Sequence, residues 1–118
     1  MGSGGSDYTS YGSGGGGYDY DCKGPVRFLV IIDEERYGDV WEECNVNDSV
    51  EIEFSMLDGL PILEVFKIEN LFKIGMTPAQ FGFILKCINN GWVFAGKIIK
   101  KSGNRYNVQI TVELWGTR

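Results

Sequence analysis

The chain has 118 residues, 43% of them hydrophobic and 23% charged, with a formal net charge of −5. That balance suits one small globular domain with a single core, and no apolar run approaches the roughly 20 residues of a membrane-spanning helix. Histidine is absent, which removes Ser-His and Cys-His nucleophiles, histidine-based metal sites and the usual general base near neutral pH.

Residues 1–24 read as a disordered leader. Residues 1–21 hold eight glycines, the tyrosines Tyr8, Tyr11, Tyr18 and Tyr20, and no valine, leucine or isoleucine. Such a segment buries too little apolar surface to offset the entropy of ordering it. Met1-Gly2 followed by Ser6 matches the N-myristoylation pattern. Its charged neighbours are Asp7, Asp19 and Asp21, so one acyl chain would lack the basic patch that stable anchoring needs, and no membrane association is expected. The start has neither the basic nor the apolar region of a secretory signal.

Residues 25–118 read as a single small β-barrel domain. Val26–Ile32 is an apolar strand, ended in solvent by Asp33-Glu34-Glu35. Residues 36–48 read as a loop or irregular edge around Trp41. From Val50 the alternation puts Val50, Ile52, Phe54 and Met56 on the inner face and Glu51, Glu53 and Ser55 on the outer one. Asp58-Gly59 signals a turn. Ile62–Ile68 and Leu71–Ile74 follow as strands. The segment from Thr77 to Asn90 reads as the one helix, with Thr77 as N-cap, Pro78 at the first helical position and Gly91 as terminator. Phe81, Ile84, Leu85 and Ile88 form its apolar stripe. Trp92–Lys100 is a long strand. A turn at Ser102-Gly103-Asn104 leads into the last strand, where Tyr106, Val108, Ile110, Val112 and Leu114 face inward. The expected fold is mainly β (α+β), a small bent sheet or partly open barrel of about five or six strands with one α-helix at about 77–90.

Charge is divided along the chain. Residues 24–64 carry eleven acids against Arg27 and Arg36, whereas residues 65–118 carry eight basic side chains against Glu69 and Glu113. The division reads either as a binding surface or as cross-strand pairs worth a few tenths of a kcal/mol each. The basic cluster Lys97, Lys100, Lys101 and Arg105 would neutralise about three phosphates, giving weak and salt-sensitive binding. Trp115, beyond the end of its strand, is the expected exposed ring for stacking on a base. The acidic edge around Trp41, Glu42 and Glu43 is the candidate contact for a protein partner.

No catalytic residue, metal site or cofactor is expected. Asp33-Glu34-Glu35 and Glu42-Glu43 are adjacent acids that would point to opposite faces of a strand, not a convergent pair. Gly14–Gly17 lacks the Gly-Lys-Ser/Thr ending of a phosphate loop. Cys22, Cys44 and Cys87 are an odd number at wide spacing, so free thiols, a reducing compartment and a cytoplasmic location are expected, with a Cys22–Cys44 bridge as the alternative.

Residues 48–114 resemble a HIRAN-type domain, the small β-barrel module attached to some DNA-repair helicases. The resemblance rests on Asp48-Ser49-Val50-Glu51-Ile52, on Lys73-Ile74-Gly75 before the helix, and on Phe81 to Gly91 followed by the strand Trp92 to Lys101. It implies a non-enzymatic binding module for single-stranded nucleic acid or for a larger protein. The family's stretch that helps to read a 3′ end is absent, and Leu57-Asp58-Gly59-Leu60-Pro61 stands in its place, so no DNA-end contact transfers by motif. The chain is also similar to uncharacterised small bacterial proteins with a glycine-rich leader, a cysteine before the first strand (Cys22) and a Cys-Ile-x-x-Gly segment (Cys87 to Gly91).

Overall fold

A computed structural model describes residues 21–118, so the leader tyrosines and the Met1-Gly2 pattern lie outside the described residues. Six strands form one antiparallel sheet: β1 (Val26–Leu29), β2 (Ser49–Leu57), β3 (Leu60–Lys67), β4 (Lys73–Met76), β5 (Val93–Asn104) and β6 (Asn107–Thr117), in the order β1-β6-β5-β2-β3-β4. Two short helices, α1 (Tyr37–Glu43) and α2 (Phe83–Asn89), accompany it.

The inward residues of the strands make the core. Val26, Phe28, Val50, Ile52, Val65, Ile74, Phe94, Ile98 and the β6 series Val108, Ile110, Val112 and Leu114 are all buried. Irregular steps in register between Ile98 and Lys100 of β5, and between Val65 and Phe66 of β3, add the local twist that curls a sheet. The curl brings the two edges together without a ladder. Just past β1, Ile31 and Met76 of β4 exchange both backbone hydrogen bonds, each 2.9 Å, in an isolated bridge. Gly75 makes this seam possible, because a Cβ there would overlap the carbonyl oxygen of Ile31. The result is a mainly β fold whose sheet remains unclosed, as the sequence led us to expect.

Several local expectations are corrected. The segment read as a loop over 36–48 contains α1, preceded by a 3-10 turn at Glu34–Arg36. It buries Val40, half-buries Trp41 and packs on β6. The second helix is shorter than 77–90. Pro78 is extended, Ala79–Phe81 is a 3-10 turn, and α2 begins only at Phe83. Thr77 is therefore no cap. Its backbone N–H donates to Leu63 O across the β3–β4 pair, and its hydroxyl is buried without a hydrogen-bond partner. An orphaned buried hydroxyl carries a desolvation cost of about 1–3 kcal/mol. Thr77→Val is accordingly expected to leave stability unchanged or raise it by about 1 kcal/mol, whereas loss of a true N-cap would lower it by about 1 kcal/mol. Urea denaturation of the variant separates the two.

The thiol expectation is also corrected. Cys22 and Cys87 form a disulfide across a sequence separation of 65, and only Cys44 is free, fully buried. Spacing could not reveal this pair, because it depends on where α2 meets the strand that Cys22 precedes. Together with the bond from Gly116 N–H to Lys23 O, the disulfide ties residues 22 and 23, assigned to the leader, onto the domain.

Candidate functional site

The β5–β6 hairpin turns through Arg105 and Tyr106, later than the expected Ser102-Gly103-Asn104, since Asn104 pairs with Asn107. Tyr106 consequently sits at the tip and is exposed instead of inward. The hairpin's basic residues divide into two sets. Beyond the irregular step in β5, Lys101 lies opposite the buried Ile110 and reaches α1. Its Nζ donates to Trp41 O at 2.7 Å and stands 4.3 Å above the Trp41 ring. Arg105 approaches Glu42 at 3.8 Å, both side chains well exposed, a pairing worth little in water. The basic cluster and the acidic edge thus abut, and two of the four cations face the acids and the aromatic ring of α1.

Lys97 and Lys100 form the second set. They share the outer face with Trp115, because Lys97 pairs with Glu113, Lys100 with Thr111 and Trp115 with Ala95. Glu113, nearly buried, is bonded by Arg27 at 2.6 Å. Lys97 and Lys100 are exposed, with no ion pair among the described residues, and Trp115 is 41% exposed.

Glu43 belongs to a different constellation. Lys67, buried at the end of β3, donates through Nζ to Glu43 O at 2.7 Å and lies 3.3 Å from Asp48 Oδ2 and 3.7 Å from Glu43 Oε2. Asn70 donates to the same Glu43 carboxylate at 2.7 Å. A cation on the last carbonyls of α1 also suits the helix dipole. Burial alone lowers the pKa of Lys67, but the hydrogen bond to Asp48 and the charges of Asp48 and Glu43 outweigh it, so the net shift is upward. Next to it, burial pushes the Cys44 thiol up to about 11. This cluster fastens α1 to the sheet. Among the described residues no group of three or more Cys, Asp or Glu side chains is placed to hold a metal ion, and no helix is long and apolar enough to cross a membrane.

The most conspicuous surface is one that alternation alone misplaced. Phe54 and Met56 were expected inward, but β5 pairs with β2 only at Ser49, Val50 and Glu51. Beyond that point β2 and β3 run on as an arm from Glu53↔Glu64 to Leu57↔Leu60, with β4 and Thr77 still bonded to its root at Glu64 and Leu63. Past Leu63 the described residues place no third strand beside it, and its end leaves the core behind. Phe54, Met56, Leu57 and Leu60 are 45%, 56%, 54% and 66% exposed. Asp58 and Gly59 both adopt positive φ at its tip, 51° and 80°, the two-residue turn that matches strand twist and that Asp-Gly favours. At its root, a groove of about 490 Å³ runs between Pro61, Leu63, Thr77, Pro78 and Leu85. A second depression of about 270 Å³ lies on the Ser55, Leu57 and Glu64 side, near Arg36 and Lys73.

No family model, curated protein or solved structure matches the chain.

Proposed function

We propose that this chain is a non-enzymatic binding module whose partner is a protein, contacted through the β2–β3 arm. The observation that carries the reading is the arm itself. Phe54 and Met56 on one face of the ladder, and Leu57 paired with Leu60 on the other, stand exposed toward its end. Large apolar side chains gathered in solvent at one hairpin end mark an interaction site. The tight two-residue turn fixes the register of the two strands, and such preorganisation lowers the entropy lost on binding. Against catalysis stand the chain without histidine and titratable groups that, among the described residues, meet as oppositely charged pairs. A photo-crosslinker placed in turn at Leu57, Leu60, Glu42 and Lys100 in the source cell tests the proposal. Capture of a defined protein from positions 57 and 60 is expected, and capture confined to positions 42 or 100 would refute it.

Contact with single-stranded nucleic acid is the second reading, favoured by Lys97, Lys100 and Trp115 lying open on one face, and kinship with HIRAN-type modules belongs to it. Two available cations predict a shallow salt dependence, a slope of log K against log salt of about −1.4. Replacing Lys97 and Lys100 with Ala should flatten it, and Lys101→Ala should leave it nearly unchanged. Polarisation of labelled strands over a salt series checks both. The cytoplasmic placement was expected from three free thiols, and the Cys22–Cys87 bond supports instead a compartment where disulfides persist.

A further inference from the structure

Resting on the reading of the arm as a protein-binding element, we infer that its partner is a second copy of this chain, joined by antiparallel pairing of β2 with β2 across a twofold axis at Ser55. Main-chain direction along β2 carries the argument. Ser49 O accepts from Ile68 N on the β3 side, whereas Asp48 O accepts from Ile98 N on the β5 side. Backbone groups alternate between the two sides of a strand. Odd-numbered residues of β2 therefore bond to β3, and even-numbered ones face β5. Since β5 leaves after Glu51, the N–H and C=O groups of Phe54 and Met56 point to an edge with no strand on it among the described residues.

Natural sheets blunt such edges with proline, lysine or a bulge. The free stretch Glu53-Phe54-Ser55-Met56-Leu57 has none of these. It is instead compatible with itself. A twofold at Ser55 sets Phe54 opposite the partner's Met56 and Met56 opposite the partner's Phe54, as two hydrogen-bonded pairs, so four backbone bonds form. Glu53 falls opposite Leu57, and no carboxylate meets a carboxylate. The two Glu53 side chains lie about 13 Å apart along the ladder, beyond the Debye length of about 8 Å at physiological salt. Moving the axis to Phe54 would set the partner's Leu57 against Glu51, whose edge already holds Ala95 of β5, so the axis cannot shift toward the core. Phe54 and Met56 of both copies then cover one another on one face, and β2 joins two sheets into one.

Sedimentation of the full chain over a concentration series tests this. A mass of twice 13.2 kDa is expected at the higher concentrations, with association tightened by salt because both copies are acidic. Ser55→Lys sets two like charges side by side at the axis and should weaken association about fivefold or more. Met56→Pro removes an N–H that only the partner uses, with the same direction of effect and the β2–β3 ladder intact. Ser55→Cys should oxidise to a covalent dimer, since non-hydrogen-bonded pairs hold Cα atoms about 4.5 Å apart, while Ser102→Cys should not. A 13.2 kDa species at every concentration overturns the inference, as does a Ser55→Lys variant that associates as tightly as the wild type. A monomer whose arm crosslinks a different protein, or captures a basic extended peptide in a salt-weakened complex, also overturns it and leaves the binding-module reading standing. Absence of any crosslink from the arm removes that reading itself.

Discussion

Reduction of the Cys22–Cys87 bond is expected to destabilise the domain by about 4 kcal/mol, from the loss of a closed loop of about 65 residues in the unfolded chain. For a domain of this size that corresponds to a fall in Tm of about 15–30 °C, against a total stability of about 5–15 kcal/mol. The bond joins Cys22, four residues ahead of β1, to the buried Cys87 of α2, so its loss frees both the chain entering the sheet and the helix. Guanidinium unfolding of the wild type with and without reductant gives the magnitude. Cys22→Ala should match the reduced wild type and be indifferent to reductant, because it leaves the buried Cys87 thiol in place. A thiol titration adds a count: no reactive thiol in the native protein, one in denaturant, namely Cys44, and all three after reduction. Equal unfolding midpoints in both redox states would remove the bond from the account of stability.

How far the sequence carried the fold is clearest strand by strand. Period-two alternation located β6 and the first half of β2, because there the inner face is a continuous core and the outer face is polar. The Asp58-Gly59 turn was legible from its residue types, since few others accept positive φ at both positions. Alternation assigns a face and is silent on where the core ends. Phe54 and Met56 share the face of Val50 and Ile52, yet they stand in solvent because β5 diverges after Glu51, a tertiary fact. The arm, now the leading candidate site, was hidden by that gap. α1 escaped notice for another reason: seven residues with a glycine in the first turn are too short for helical periodicity to register. The charge division was read as a binding surface or as cross-strand pairs. Neither reading held the abutment of Lys101 and Arg105 on Trp41 and Glu42, because nothing local places a helix there or says which strand it packs against.

Raising the pH from 8 to 11 is expected to weaken the fold in two overlapping steps, both arising at the junction of α1 with β3. Cys44 and Lys67 each hold their proton more tightly folded than unfolded, Cys44 with a pKa raised from an ordinary 9.0 to about 11 and Lys67 shifted upward from 10.5. A group of this kind contributes its full stability below its unfolded pKa and loses it as the pH rises through the folded one. For Cys44 the window is pH 9 to 11 and the loss about 2–3 kcal/mol, the cost of exposing a thiol that ionises only once released. The Lys67 window opens at about 10.5 and extends above it, where the lysine would abandon Asp48 and the terminal carbonyl of α1. Chemical denaturation at pH 8, 9, 10 and 11 measures the sum. Cys44→Ala separates the parts, because it should flatten the first window and leave the second. Lys67→Met should remove the second at a cost of about 3 kcal/mol already at neutral pH, since it strands Asp48 beside the helix end with no cation. Stability constant from pH 8 to 11 would refute the shared origin, and so would a Cys44→Ala profile that follows the wild type throughout. The same lysine that anchors α1 at pH 7 would then have to act through packing alone.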